Sequence, residues 1–409
     1  MLNRSAIILS DLHLGPTCPK DTDQVAAEVI RRHPGHDVLL LGDTFDLSLD
    51  PPKSNPAHSA AAHLARNPAL RLSLRERLQC GASVVLFAGN HDAQLAQPGV
   101  RASLLHELEL TDEAPLECGV WCMRRGALHL EHGHLYDPDN ANTHPLVAPK
   151  MATEPLGVAL MRNVLAPRDS LFLAHAHEIT PWAGLTQSFV RLGANAPRLI
   201  AHYYLEALRI LMRARPRSFV EEWRSGAEQL LEYARRYDLD VVQLENVLDL
   251  RAMPRHHHRR DVFFRLYLDR SLATVLWWSG TALGAWTMGP AYWSLAGLGL
   301  TYLGVSLARG KNRYSGNLLP RLRDAALEIR RLVDAQVVVF GHTHVEEQYP
   351  GYVNTGSFGF GGKRGRRYLL LDTTQSLFRM SVNPGQEPEL LDVFVSGDDA
   401  QSTRAVVAA

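Results

Sequence analysis

Five short stretches of the chain end an apolar run in side chains that can bind a metal ion or move a proton. AIILS leads into SDLHLG and supplies Asp11 and His13, while DVLLL leads into GDTFD and supplies Asp43 and Asp46. SVVLF is followed by AGNHD, with Asn90, His91 and Asp92. ALHLE is followed by HGH, with His132 and His134, and VVVF by GHTH, with His342 and His344. One such turn means little, because Asp, Asn, Gly and His are ordinary turn residues. Five in order, each closing an apolar run, form a pattern that turn chemistry does not require. The donor set is also coherent. Asp, Asn and His without thiolate suit manganese, iron, zinc or magnesium rather than a soft metal. About seven donors exceed what one ion with open positions uses, and suit two ions sharing a carboxylate.

Such side chains need elements to hold them. Residues 6–10, 37–41 and 83–87 read as buried strands, and residues 22–32 and 57–79 between them have helical composition. That alternation predicts a central sheet with helices outside and a site in the loops at the carboxyl ends of its strands. Residues 116–123 and 126–131 read as a hairpin. From about residue 150 to 260 the pattern is helical, amphipathic and rich in Arg. RHHHRR (255–260) reads as a solvated or headgroup-facing basic run rather than a metal tract, because consecutive helical residues point different ways. The same holds for His175 and His177 in LAHAHE. A helix over 318–333, the strand VVVF and a β-rich tail over 352–395 resume the α/β pattern of the N-terminal part. The chain therefore reads as one α/β domain in two parts, 1–140 and 318–409, around a helical insertion at 141–317.

Composition narrows the function. The 43 basic residues balance 43 acidic ones, which argues against a nucleic-acid partner. No pair among Cys18, Cys80, Cys118 and Cys122 has the Cys-x-x-Cys spacing of a zinc site, and Cys118 and Cys122 read as buried thiols of a reducing compartment. The N-terminal apolar run is too short for a signal peptide, so the expected location is cytoplasmic.

The ordered motifs D-x-H, GD, GNH(D/E), a further His and GH-x-H stand here as Asp11-Leu12-His13, Gly42-Asp43, Gly89-Asn90-His91-Asp92, His132 and Gly341-His342-Thr343-His344. In this the chain resembles the calcineurin-like metallophosphoesterases, over residues 6–135 and 336–357. The resemblance implies a four-layer αββα sandwich, a pair of packed sheets flanked by helices. It also implies a first ion held by Asp11, His13, Asp43 and His344, and a second held by Asp43, Asn90, His132 and His342. The ions would be manganese, with iron, zinc or magnesium as alternatives, and they would activate a water against phosphorus. His91 would stabilise charge or protonate the leaving group, with Asp92 fixing its tautomer. Asp46 would brace the loop, and His134 and Asn354 would stand behind the ligands. SDLHLG and GDTFDL look most like the branch of UDP-2,3-diacylglucosamine hydrolases. Two features depart from it: His91 stands where that branch commonly has Arg, and the insertion is longer. A metal-dependent phosphodiesterase or nuclease and a broad phosphomonoesterase are the alternatives. A non-enzymatic scaffold is disfavoured by the intact motifs.

Residues 271–308 contain no charged residue, and Gly289-Pro290 divides them into halves of 18 and 19. Each half would span about 27 Å as helix, close to the hydrocarbon core of about 30 Å. Trp277, Trp278, Trp286, Trp293 and Tyr302 offer interfacial rings, and Gly280 and Gly284 form a GxxxG face. Arg265 and Arg270 flank one end and Arg309, Lys311 and Arg313 the other, so both ends read as cytoplasmic. The expectation is a membrane hairpin that places the enzyme at the cytoplasmic face, with a phosphorylated small-molecule or lipid-linked substrate. A soluble core hairpin or an apolar lid is the alternative.

Overall fold

The computed structural model describes residues 4–16, 18–51, 54–168, 170, 181–213, 216–310, 313–314, 316–361 and 365–395. The chain forms two compact units. The first holds residues 1–158, 216–254 and 319–409, and the second holds 159–215 and 255–318. Of the single block expected at 141–317, residues 141–158 and 216–254 fold with the first unit.

Strands β1 (Ala6–Leu9), β2 (Asp37–Leu40), β3 (Val84–Phe87) and β4 (Leu116–Val120) run parallel in one sheet. A second sheet is built from β5 (Cys122–Arg125), β6 (Leu128–Glu131), β7 (Val337–Phe340), β8 (Glu346–Tyr349) and β9 (Tyr352–Thr355), in the order β5-β6-β7-β9-β8. Antiparallel strands β10 (Arg366–Leu371), β11 (Leu377–Val382) and β12 (Glu389–Val395) complete the first sheet beside β1, giving the order β12-β11-β10-β1-β2-β3-β4.

Side chains alternate across a strand, and each face of the first sheet has its own core. Ala6, Ile8, Leu39, Leu41, Val85 and Phe87 meet Leu128, Leu130, Val337, Val339 and Val353 of the second sheet. Ile7, Leu9, Val38, Leu40 and Leu86 instead pack with Val25, Val29, Leu74 and Leu104 of the flanking helices. On the second sheet, the Arg323 guanidinium of helix Leu318–Leu332 lies 4.4 Å over the Tyr349 ring. The expected sandwich of two sheets with helices outside is therefore the fold. Burial on both faces explains why the parallel strands read as unbroken apolar runs.

Three expectations need correction. Residues 57–79 form two helices, Pro56–Ala65 and Pro68–Gln79, because Pro68 cannot continue a helix and starts a new one after Asn67. The run 116–123 is two strands in different sheets. The chain changes sheet at buried Trp121, and the hairpin is β5–β6 alone. RHHHRR is not uniformly solvated. His256 is buried and Arg255 stacks on Tyr314, whereas Arg259 and Arg260 are exposed. The four cysteines are free thiols, Cys122 buried and Cys118 half-buried. His175 and His177 lie outside the described residues.

In the second unit, helices Leu268–Thr287 and Pro290–Ala308 pack antiparallel. A Cβ on Gly280 would fall 2.6 Å from Ala296 N, so glycine is what lets the backbones approach. Trp286 is 87% exposed and Met288 78%. Among the described residues, Pro290–Ala308 is the helix long and apolar enough to cross a membrane.

The sheet change at Trp121 is clamped by one hydroxyl. Tyr233 Oη, on helix Pro216–Tyr237, accepts from the N–H groups of Trp121 (3.0 Å) and Cys122 (2.9 Å) and donates to Cys122 O (2.6 Å), all of it buried. Tyr233→Phe leaves these backbone groups unpaired, and should cost on the order of 1–3 kcal/mol. The check is a lower urea midpoint; an unchanged midpoint would remove Tyr233 from this role.

Candidate metal centre

The donor-bearing turns all follow carboxyl ends of strands: Asp11 and His13 after β1, Asp43 after β2, Asn90 after β3, His132 after β6, and His342 and His344 after β7. Adjacent parallel strands bring those ends together. The backbone then bends hard. Asp11, His13, Asp43, His342 and His344 all have positive φ, between 49° and 70°. Asp and His enter this left-handed region more readily than most residues, but at a cost of order 1 kcal/mol each. Ligand aim, not local preference, explains so many in one place. Gly89 is demanded for space, since a Cβ there would lie 2.1 Å from Asp43 Oδ1.

Two ligand groups converge. In the first, His13 Nε2 and His344 Nε2 are 2.9 Å apart, His344 Nε2 is 3.2 Å from Asp11 Oδ1, and His13 Nε2 is 3.8 Å from it. In the second, His132 Nε2 lies 3.3 Å from Asp43 Oδ2, and Asp43, His132 and His342 offer ligand atoms within 4.8 Å of one another. Asp43 Oδ2 is also 3.8 Å from His13 Nε2, which puts this carboxylate between the groups. His13, Asp46 and His91 form a third overlapping set. Six of the seven expected ligands, Asp11, His13, Asp43, His132, His342 and His344, fall in these groups, while Asn90 donates to Asn140 at 3.4 Å.

The donor set fits divalent cations. His132 Nδ1 faces the Leu41 carbonyl at 2.8 Å, so it must carry hydrogen and leave the Nε2 lone pair for the site. Buried Asn90 Oδ1 and His342 Nδ1 have no hydrogen-bond partner among the described residues. The electrostatics agree. Burial disfavours a protonated His132, but the charges of Asp43 and Asp11 outweigh it and push its pKa up to about 10. Burial likewise opposes ionised Asp11, yet the neighbouring His132 and His344 hold its pKa down at about 2. Burial, with His91 beside it, lowers His13 to about 4, keeping that ring neutral as a ligand must be. Buried carboxylates that draw protons onto imidazoles are sites where a cation can replace the proton.

The expected roles of two aspartates change. Asp92 does not touch His91. Its carboxylate accepts from the N–H groups of Gly89 (2.8 Å), Asp43 (3.2 Å), Thr44 (2.7 Å) and Phe45 (3.2 Å), tying the β2 and β3 turns together. Asp46 takes the place expected for Asp92: its Oδ1 lies 2.9 Å from His91 Nδ1, and Ser48 Oγ is 2.8 Å from the same nitrogen. Burial opposes the charged form of His91, but Asp43 and Asp46 prevail and raise its pKa to about 9. Asn354 donates to Gly341 O at 2.7 Å and accepts from Gly356 N–H at 3.0 Å, bracing the GHTH turn. His134 packs behind His132, with ring centroids 5.4 Å apart, and meets Asn142 at 3.2 Å.

Sequence reasoning missed Asp137, Asn140 and Phe360. Asp137 Oδ2 is 3.1 Å from His342 Nε2 and accepts from Asn140 Nδ2 at 2.7 Å. The bond fixes hydrogen on Nε2 and turns Nδ1 to the site. Phe360 stacks on His344 (26°, 5.8 Å) and lies 5.6 Å from His13, walling one side. The DPDN turn just after HGH was the available signal for Asp137 and Asn140.

Asp137→Asn keeps the shape but weakens the hold on His342, and should lower affinity for the second ion about 10- to 100-fold. Asp43→Ala should abolish binding of both. Titration calorimetry with manganese on the stripped protein reads each; a second-ion affinity unaltered in Asp137→Asn would refute the orienting role.

A family model for calcineurin-like phosphoesterase matches residues 5–244, and no curated protein matches the chain. That match covers more than half the sequence, with the GHTH turn beyond it completing the same cluster, and the chain belongs to the calcineurin-like phosphoesterase family.

Proposed function

We propose that this hydrolase cleaves a phosphoester or pyrophosphate bond in a lipid-linked substrate at the cytoplasmic face of a membrane, using two divalent ions. Membership of the family makes the chain a hydrolase of phosphate esters. The observation that carries the two-ion reading is Asp43 standing between two convergent ligand groups. Bound there, divalent ions would supply Lewis acidity to phosphoryl oxygens and lower the pKa of a shared water.

The protein's own residues do the rest. Asp11, His13, Asp43 and His344 would hold one ion, and Asp43, Asn90, His132 and His342 the other. His91 sits beside both groups, its ring 4.8 Å from that of His13. With Nδ1 held by Asp46, its Nε2 is left to donate to an oxygen of the substrate. Asp92 keeps the two turns in register. Phe360 packs against the rings of His344 and His13 on one flank.

The lipid-linked part rests on the apolar helix pair. Crossings between Asp11–His132 and His342–His344 must be even for these residues to share one site; a hairpin of two crossing helices would satisfy this, Pro290–Ala308 being the one long and apolar enough by itself among the described residues. Substrates of the UDP-2,3-diacylglucosamine type are the class to test first, since the β1 and β2 turns look most like that branch. A nuclease is disfavoured by balanced charge.

Three outcomes are expected. His91→Ala should lower kcat by about 10²-fold or more while metal content is retained. Manganese should restore turnover of bis-p-nitrophenyl phosphate to stripped protein better than calcium, which prefers all-oxygen cages. Full-length protein should remain with membranes in carbonate, and deletion of 271–308 should release it. Wild-type turnover in His91→Ala, or full activity with no bound metal, would sink the chemical reading. Solubility of the intact chain without detergent would remove the lipid reading alone.

A further inference from the structure

We propose that the open end of the helix pair is a docking surface for anionic phospholipid headgroups, and that helix Ala196–Arg213 lies in the plane of the same interface. The inference rests on the membrane reading above and adds the lipid class and the residues that select it. Its first support is where charge stands. Residues 271–308 carry none, whereas the flanks 255–270 and 309–314 carry eight Lys and Arg against two Asp. Both flanks lie at the same end, because the helices are antiparallel.

Two of these arginines hold the end together. Arg270 donates to Ser306 O (2.9 Å) and Gly310 O (2.6 Å), and Arg313 pairs with Asp269 at 2.7 Å. Arg255 and Arg265 meet an aromatic ring, their guanidinium carbons lying 4.6 and 4.9 Å from the Tyr314 ring centroid. Stacking holds both cations at this end of the pair, where they add to its positive field. Arg259 and Arg260 extend the patch as exposed cations on helix Arg259–Arg265.

The second support is the neighbouring helix. Tyr203 Oη donates to Leu266 O (2.9 Å) and Tyr204 Oη meets Ser271 Oγ (2.8 Å), so helix Ala196–Arg213 is fastened at the level of this basic end. Ala207 and Ile210 are buried on its inner side, while Tyr204, Leu205, Leu208 and Met212 are exposed. At 100° per residue those four fall within about one third of the helix circumference. An exposed apolar stripe at the depth of a basic collar is the arrangement of an interfacial helix on an anionic surface.

The test uses the full-length chain reconstituted in bilayers, with tryptophan quenching by brominated phosphatidylglycerol against brominated phosphatidylcholine. Near-surface arginines contribute up to roughly fivefold each, so wild type should prefer the anionic lipid by about tenfold or more. Arg255→Gln/Arg259→Gln/Arg260→Gln/Arg265→Gln should bring the ratio to within about twofold of unity. Hydrolysis of bis-p-nitrophenyl phosphate should not change. Raising salt from about 0.05 to about 1 M must remove the wild-type preference, which tests the idea even if the variant does not fold. Quenching without preference, or a preference indifferent to salt, overturns the proposal and leaves the membrane reading standing. Absence of quenching by either lipid overturns both, while the phosphoesterase reading stands on its separate assay.

Discussion

Burying Asp11 and Asp43 side by side is the constraint on which the rest of the first unit depends. Both are fully buried, and two carboxylates in a low-dielectric setting are costly unless positive charge is brought to them. Protonated imidazoles do this in the free protein, which is why His132 and His91 are driven upward in pKa. Divalent ions do it better, because one ion meets several donors at once. The left-handed backbone at Asp11, His13, Asp43, His342 and His344 follows from the same demand. Strand ends alone would splay these side chains, and the bend turns them inward. Folding tolerates that strain because the strands beneath are buried on both faces and cannot shift.

The site was legible in sequence to the extent that each ligand is a local feature. A buried parallel strand announces itself as an apolar run, and its ligand is the polar residue that ends it. So Asp11, His13, Asp43, His132, His342 and His344, which the fold brings together, could be found without knowing how the strands are ordered. What failed depended on contacts between loops. Asp46 and Asp92 are both acidic residues beside a motif, and nothing in their spacing tells which one reaches His91. That was decided by four backbone N–H groups of the β2 and β3 turns, which capture Asp92 first. Asp137 was missed for the same reason: its partner His342 is 205 residues away.

The fold shows the same division. Strand positions and the helical nature of the middle segment were readable from periodicity, whereas the crossing at Trp121 was not. Residues 116–125 are continuous β-like sequence, and only the buried Tyr233 hydroxyl marks where one sheet stops and the other begins. Helix Pro216–Tyr237, which carries that hydroxyl, looks like its insertion neighbours in composition. Its membership in the first unit is a packing fact, carried by Tyr233 together with Glu222 on Thr153, Trp223 on His144 and Arg236 on Glu117, contacts that composition does not announce.

Charge is sorted in opposite ways in the two units, and that separation has a functional sense. In the first, carboxylates and imidazoles are concentrated inside, where they can hold cations against a phosphoryl group. In the second, residues 271–308 carry no charge, and eight Lys and Arg gather in the segments 255–270 and 309–314 that flank them. A phosphoesterase that acted on freely diffusing substrates would have no use for the second arrangement, since exposed apolar helices are an aggregation hazard in water. A substrate whose acyl chains stay in the bilayer, as proposed, would give that hazard a purpose. On the proposed membrane reading it would confine enzyme and substrate to one surface, so encounter would not require extracting lipid into water, and the cationic end would keep the chain oriented there. On this argument the basic collar would govern access to substrate, as the metal centre would govern the bond that breaks.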